Sequence, residues 1–179
     1  MPVTALPPPG DPSGPYRVCF VCLGNICRSP MAEVVLRARL REAGLAGKVV
    51  VDSAGTGDWH IGERMNPPAR DALERGGYDG SGHRARQIEA PWLAERDLLL
   101  AMDASNLARL RTLARAAGGD AGRRIRLFGE VAGLDGADVP DPYGGDPAEF
   151  DRVLDMLDAG TERLVGQLRA VVEAPASER

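Results

Sequence analysis

The sequence predicts an α/β domain in which helices cover both faces of a parallel sheet. Three observations lead there. Short apolar runs alternate along the chain with segments of helical periodicity, the pattern of strand–helix–strand units. The first run, Val18-Cys19-Phe20-Val21-Cys22-Leu23, is apolar at every position, as suits a strand buried on both faces. The length, 179 residues, fits one domain with a full core and leaves little room for a second.

Taken in order, residues 1–16 are rich in Pro and Gly, poor in aliphatics, and read as a disordered extension. The folded domain is expected over 17–172. After the first strand, Ser29-Pro30 opens a helix through about Ala43, with Ser29 as N-cap and proline at the first helical position. Gly44 closes it. Lys48 to Asp52 is a second, Val-rich strand, followed by a polar loop over 53–66. Pro67-Pro68 starts a helix that ends at Gly76-Gly77. Leu98 to Ala101 is the third strand. Asp103 caps the next helix, whose Leu107, Leu110, Leu113, Ala114 and Ala117 share one face. Ile125 to Phe128 is a short fourth strand, and a Gly/Asp-rich loop covers 129–146. The last helix begins with the capping box Asp146-Pro147-Ala148-Glu149. Its buried stripe is Phe150, Val153, Leu154, Leu157, Leu164, Val165 and Leu168, and the tail 173–179 is expected to fray.

Composition narrows the function. Apolar residues make up 44% and charged residues 27%, ordinary for a globular chain. A net charge of −4 argues against nucleic acid, whose binders carry a basic stripe. No stretch is long and apolar enough to span a bilayer. The first residues lack the basic region and apolar core of a secretory signal. The cysteines Cys19, Cys22 and Cys27 crowd into one segment instead of spreading to staple distant loops. That pattern favours reduced thiols in a cytoplasm, at least one of them reactive. Neither a Walker loop nor a dinucleotide fingerprint occurs, and with only two histidines neither a metal site nor a cofactor is expected.

The loop after the first strand, Cys22-Leu23-Gly24-Asn25-Ile26-Cys27-Arg28-Ser29, carries the chemistry. It lies where ligands sit in parallel α/β sheets, outside the carboxyl ends of the strands. A loop running into a helix start offers free N–H groups and the positive end of the dipole to a phosphate. Its amides curl into an anion nest where residues reach left-handed conformations, which Gly24 does freely and Asn25 tolerates. Arg28 adds a planar fork for two phosphate oxygens. The same donors stabilise a thiolate on Cys22, placed for in-line attack and a phosphocysteine. The Ser29 hydroxyl either caps the helix or donates to that thiolate. Cys19, mid-strand, reads as a small core residue.

Cleavage also needs a proton for the leaving oxygen and a base for water, and one carboxyl can serve both in turn. The 129–146 loop offers Asp135, Asp138, Asp141 and Asp146. Asp146 is better used as a cap, and Asp141, stiffened by Pro142, has a modest lead over Asp138. Trp59 and Tyr143 are candidate walls for a phenyl ring, His60 a rim contact, and Leu23 and Ile26 flank the mouth.

The run from Val21 to Glu33 resembles the low-molecular-weight protein tyrosine phosphatases. The resemblance continues in Asp52-Ser53-Ala54-Gly55, Asp58-Trp59-His60-Ile61-Gly62, His83-Arg84-Ala85-Arg86-Gln87 and Asp141-Pro142-Tyr143-Gly144, spanning about 17–170. It implies a four-stranded parallel sheet flanked by helices, no metal, phosphotyrosine-containing protein substrates and Asp141 as general acid. It also implies that His83 supports the phosphate loop together with Ser53 and Asn25. The family carries an aromatic pair after Asp-Pro; here Gly144 replaces the second aromatic, which bears on substrate preference and not on the chemistry. Two alternatives share the cradle. An arsenate reductase would need external thiols, because no cysteine follows Cys27. Phosphoarginine phosphatases carry a smaller polar residue where Ile26 stands. Cys27, on the same tight loop, is a candidate resolving thiol for an oxidised Cys22.

Overall fold

In a computed structural model, described over residues 5–175, four parallel strands form one sheet in the order β2-β1-β3-β4. They are β1 (Tyr16–Cys22), β2 (Val49–Gly55), β3 (Leu98–Ala101) and β4 (Ile125–Leu127). The helices are α1 (Arg28–Glu42), α2 (Pro67–Arg75), the short α3 (Trp92–Glu95), α4 (Ala104–Ala117), the short α5 (Phe128–Val131) and α6 (Pro147–Glu173). The predicted α/β architecture is therefore present. Strand boundaries move: β1 spans Tyr16–Cys22 in place of Val18–Leu23, β2 runs three residues further, to Gly55, and Phe128 opens α5 instead of closing β4.

Period-two alternation builds the core. Val18, Phe20 and Cys22 of β1, with Leu98 and Leu100 of β3, join one buried cluster, which α1, α2, α5 and α6 cover. Cys19 and Val21, with Leu99 and Ala101, join the other, which α3 and α4 cover. Every residue of β3 is buried, as a central parallel strand requires. The α6 stripe packs as expected, except that Val165 is only half-buried. The capping box of α6 forms in both directions, Glu149 N–H to Asp146 and Asp146 N–H to Glu149, each 3.0 Å.

Two expectations are corrected. Ser29 does not cap α1: the helix starts two residues earlier, at Arg28, Cys27 holds the cap position, and the Ser29 side chain turns inward. The expectation of disorder over 1–16 fails for residues 5–16; residues 1–4 lie outside the described ones. Leu6 is buried in the main core cluster, and Tyr16 opens β1. The Tyr16 hydroxyl donates to the Pro7 carbonyl at 2.8 Å. The buried carboxylate of Asp97 then clamps the segment from both sides, accepting from Gly10 N–H at 2.6 Å and Arg17 N–H at 2.7 Å. Proline-rich composition misled here because proline also stiffens a segment that docks, lowering the entropy lost on ordering. At the other end α6 continues to Glu173, and 176–179 lie outside the described residues.

The strap has a measurable consequence. Leu6→Ala deletes a buried side chain and is expected to cost about 2 kcal/mol or more, which lowers the melting temperature by roughly 4–8 °C. Thermal unfolding by circular dichroism checks this; an unchanged midpoint means residues 5–15 are not part of the folded unit.

Candidate active site

The carboxyl ends of β1, β2 and β3 converge beneath the loop 22–29, which closes over the end of β2. Thr56 N–H donates to the Cys22 carbonyl and Gly57 N–H to that of Leu23, both at 2.9 Å. The loop passes so close to Gly55 that a Cβ there would meet the Leu23 oxygen at 2.7 Å, so only glycine fits at this crossing.

Asn25 is the hub. It is fully buried and has φ 57°, the left-handed conformation. Within the loop that conformation belongs to Asn25 alone; Gly24 does not use it, and its missing Cβ instead makes room for the His60 ring, which a Cβ there would meet at 3.0 Å. The Asn25 amide donates to Ser29 Oγ and to Ser53 Oγ, each at 2.9 Å. Its side-chain oxygen accepts from Arg86 N–H at 2.8 Å and its carbonyl from His83 Nε2 at 2.6 Å. A carbonyl only accepts, so His83 carries its proton on Nε2. Burial holds the His83 imidazole below its ordinary pKa, against the pull of that hydrogen bond, which keeps it neutral. Among the described residues, the amides of Gly24, Asn25, Ile26 and Cys27 donate to no other backbone group. Of these residues Gly24, Ile26 and Cys27 line a cavity, an arrangement open to an anion.

Cys22 Sγ lies at the base of this cavity, 3% exposed, 2.9 Å from Ser29 Oγ. Ser29 Oγ already accepts from Asn25, and the alternative acceptor, the Ala54 carbonyl, is farther at 3.4 Å. The serine proton therefore points to sulfur.

Arg28 is 3% exposed. Its Nη1 donates to Asp103 Oδ2 at 2.6 Å and to the Val139 carbonyl at 3.1 Å. Its Nη2 lies 3.6 Å from Asp141 Oδ2. Its Nε has no partner, an unsatisfied donor of the kind a phosphate oxygen completes. Burial works against the guanidinium charge, but the Asp103 hydrogen bond and the charges of Cys22 and Asp141 outweigh it, so Arg28 stays charged.

One cavity of about 170 Å³ unites the predicted residues: Cys22, Leu23, Gly24, Ile26, Cys27 and Arg28 from the loop, and Trp59, His60, Asp141 and Tyr143 from its rim. Trp59 and Tyr143 stand out at 67% and 62% exposed. Trp59 lies over Gly57, where any Cβ would overlap its ring. His60 is held by Glu63 at 2.7 Å and faces Tyr143, ring centroids 6.4 Å apart. Ile26 is buried beneath the mouth, whereas Leu23 is 45% exposed on it. Asp138 is elsewhere: its carboxylate accepts from Ala104 N–H at 3.0 Å, at the start of α4. Asp135 and Asp146 do not line the cavity. Cys27 is a buried free thiol that accepts from Asn66 Nδ2 at 3.4 Å, and burial pushes its pKa up to about 12.

Sequence reasoning missed two residues. Asp103 reads as a helix cap, and it does cap α4 through Asp103 Oδ1 at 2.7 Å from Asn106 N–H. Its second oxygen holds Arg28. The usable signal is position, because Asp103 follows the strand next to β1 in the sheet. Glu33, one turn after Ser29, accepts from Ser53 Oγ and extends the Asn25 network outward. The expectation of no metal took the chain to lack a Cys-x-x-Cys pair, which is corrected here: Cys19-Phe20-Val21-Cys22 has that spacing. On a strand an offset of three puts the two side chains on opposite faces, and they sit in different core clusters. Among the described residues no group of three or more His, Cys, Asp or Glu is placed to hold a metal.

A family model described as low molecular weight phosphotyrosine protein phosphatase matches residues 17–174. A Streptomyces coelicolor low molecular weight protein-tyrosine-phosphatase is 47% identical over 90% of this chain and 99% of its own length. Low molecular weight protein-tyrosine phosphatase A of Mycobacterium tuberculosis is 42% identical over 82% and 88%. The crystal structure of YfkJ from Bacillus subtilis superposes with a TM-score of 0.78 at 38% identity, covering 88% of this chain and 96% of that one. A protein tyrosine phosphatase from Entamoeba histolytica, solved with Hepes in its active site, gives 0.78 at 31% identity over 86% and 97%. The loop geometry and these matches agree, and the chain belongs to the low-molecular-weight protein tyrosine phosphatase family.

Proposed function

We propose that the chain hydrolyses phosphotyrosine in proteins through a phosphocysteine on Cys22. The observation that carries this reading is the buried Arg28, whose Nε lacks a partner, in one cavity with the Cys22 sulfur and the Asp141 carboxyl. The phosphate dianion occupies the nest, held by the loop amides and Arg28. The Cys22 thiolate attacks phosphorus in line, an S–P bond forms, and the P–O bond to the tyrosine breaks. Asp141 gives its proton to the departing phenolate oxygen. As carboxylate it then takes a proton from water, which attacks phosphorus, breaks the S–P bond and frees phosphate and thiolate. Ser29 donates to the sulfur whenever it is anionic. Asp103 is a positioning residue, holding the guanidinium while phosphate and Asp141 come and go. Sulfur sits at the base of the cavity, so a phenyl spacer reaches it where a single methylene does not, and Trp59 and Tyr143 supply walls for the ring. The same depth supports phosphoprotein substrates with an exposed tyrosine.

Cys22→Ser is expected to abolish turnover of p-nitrophenyl phosphate while phosphate still binds, because the nest and Arg28 remain. Near-wild-type turnover refutes the nucleophile.

Asp141 and Asp103 separate by leaving group. Asp141→Ala slows cleavage most for aryl phosphates with poor leaving groups, since good ones need no proton. Asp103→Asn keeps the α4 cap but weakens the charge-assisted hold on Arg28, and lowers kcat roughly 10²-fold for every leaving group alike. Steady-state rates across a series of substituted phenyl phosphates read both slopes. A steeper slope for Asp103→Asn reverses the assignment.

Cys27 serves as the resolving thiol in this reading. Peroxide converts the Cys22 thiolate to a sulfenic acid; the Cys27 thiol then forms the S–S bond and water leaves. Wild type is expected to regain most activity with dithiothreitol after peroxide, and Cys27→Ser to start active but recover poorly. Equal recovery removes Cys27 from this role.

A further inference from the structure

We propose that the groove between the acid loop and the first turns of α6 is a second substrate subsite, taking an apolar side chain of the phosphoprotein a few residues from its phosphotyrosine. The inference rests on the proposed phosphatase function and adds where the rest of the substrate goes.

The groove, about 380 Å³, runs along the outer side of the acid loop. Pro140 and Pro142 form one wall, and Arg152, Val153 and Met156 of α6 form the other. Asp141 lines both this groove and the catalytic cavity. Asp141 is thus a shared ridge between them, and the groove adjoins the site proposed to hold the phosphotyrosine. An extended chain advances about 3.3 Å per residue, so two to four residues carry a substrate over that ridge.

Chemistry selects the occupant. The two prolines lack N–H groups, so this wall cannot pair with a substrate backbone as a sheet edge does. Recognition is left to side-chain burial. Met156 is half-buried, and its flexible thioether adapts to differently shaped apolar groups. Of the charged residues around it, Glu149 is already committed to the α6 capping box. Asp141, Glu149 and Asp155 outnumber Arg152 around the groove, so its lip is net negative and disfavours an acidic side chain, while Pro140, Pro142, Val153 and Met156 leave an apolar one as the occupant. The walls are also set in advance. Val139 N–H bonds the Met102 carbonyl at 2.8 Å just before the acid loop, and the capping box fixes the start of α6. A preformed groove binds with little ordering cost.

The test is a set of phosphotyrosine peptides that differ only in carrying Leu or Asp at one position, scanned two to four residues to either side. Each is assayed on wild type, Met156→Glu and the milder Met156→Ser, with p-nitrophenyl phosphate as a substrate that cannot reach the groove. Wild type is expected to prefer Leu at one position by roughly fivefold in KM, the yield of burying one or two methylene groups. Both variants lose that preference, and their kcat and KM for the aryl phosphate stay within about twofold of wild type. Three results overturn the inference: no positional preference in wild type, a preference that survives both variants, or variants that change the aryl phosphate as much as the peptides. Wild type that turns over neither substrate instead removes the phosphatase reading itself.

Discussion

Everything at this site depends on keeping a tight loop of amides pointed inward without letting them satisfy one another. A loop left to itself closes its own hydrogen bonds; this one is held open from behind. The buried Asn25 spends both side-chain N–H groups on Ser29 and Ser53, accepts from Arg86 at its side-chain oxygen and from His83 at its backbone carbonyl, and so acts as a rigid pillar. Its left-handed backbone turns the chain so that the neighbouring amides face the cavity. The pillar stands because β2 ends in Gly55, the one residue over which the loop can pass. The parallel sheet contributes the rest: with order β2-β1-β3-β4 the loop leaves the strand where the order reverses, and crossovers leave a crevice there.

Electrostatics divide along the same lines. Arg28 is buried, and an isolated buried cation is costly. Asp103, 21% exposed and 2.6 Å away, answers that cost permanently. Asp141, 46% exposed and 3.6 Å away, is the looser partner. This asymmetry suits the proposed reaction. A carboxyl that must carry a proton at one step and take one at the next cannot also be the fixed counter-ion of the phosphate-binding arginine. Once protonated, Asp141 no longer competes with phosphate for Nη2, while Asp103 keeps Nη1 in place.

The fold was legible because its strands are short, apolar and separated by helices with clear starts. Asp103, the Asp146–Glu149 box and Pro67 all mark real helix starts. The reading failed where one residue type serves two purposes. Ser29-Pro30 has the composition of a cap, yet the serine is needed at the sulfur and the helix begins earlier. The segment 5–16 looks disordered by composition, yet Leu6 and Tyr16 give it two anchors that a proline count does not register. Cys22 and Arg28 stood out because a nest and a fork are chemically distinctive, whereas Asp141 had only a modest lead over Asp138 until the family resemblance singled it out; all three line one cavity. Asp103 and Glu33 did not stand out, because their partners lie 75 and 20 residues away along the chain. Pairings of that kind come from strand order, which local pattern does not encode.

The rim follows a different rule from the floor. Two turns face each other across the mouth, His60-Ile61-Gly62-Glu63 and Pro142-Tyr143-Gly144-Gly145, each closed by its own hydrogen bond, 2.9 and 2.8 Å. Each has glycine third, at φ 84° and 79°, the type II geometry, and each presents an exposed apolar residue second, Ile61 and Tyr143. A Cβ on Gly144 would meet no atom within 4 Å, so conformation and not space is what holds glycine there. Gly144 stands where the family carries its second aromatic, and the turn that presents Tyr143 uses the left-handed position there. Because each turn closes on itself, the mouth can change its apolar contacts without disturbing the Asn25 pillar or the Arg28–Asp103 pair. On the proposed reading the rim turns govern substrate preference and the Asn25 and Arg28 networks govern phosphate chemistry, with Leu23, Gly24, Ile26 and Asp141 where the two meet.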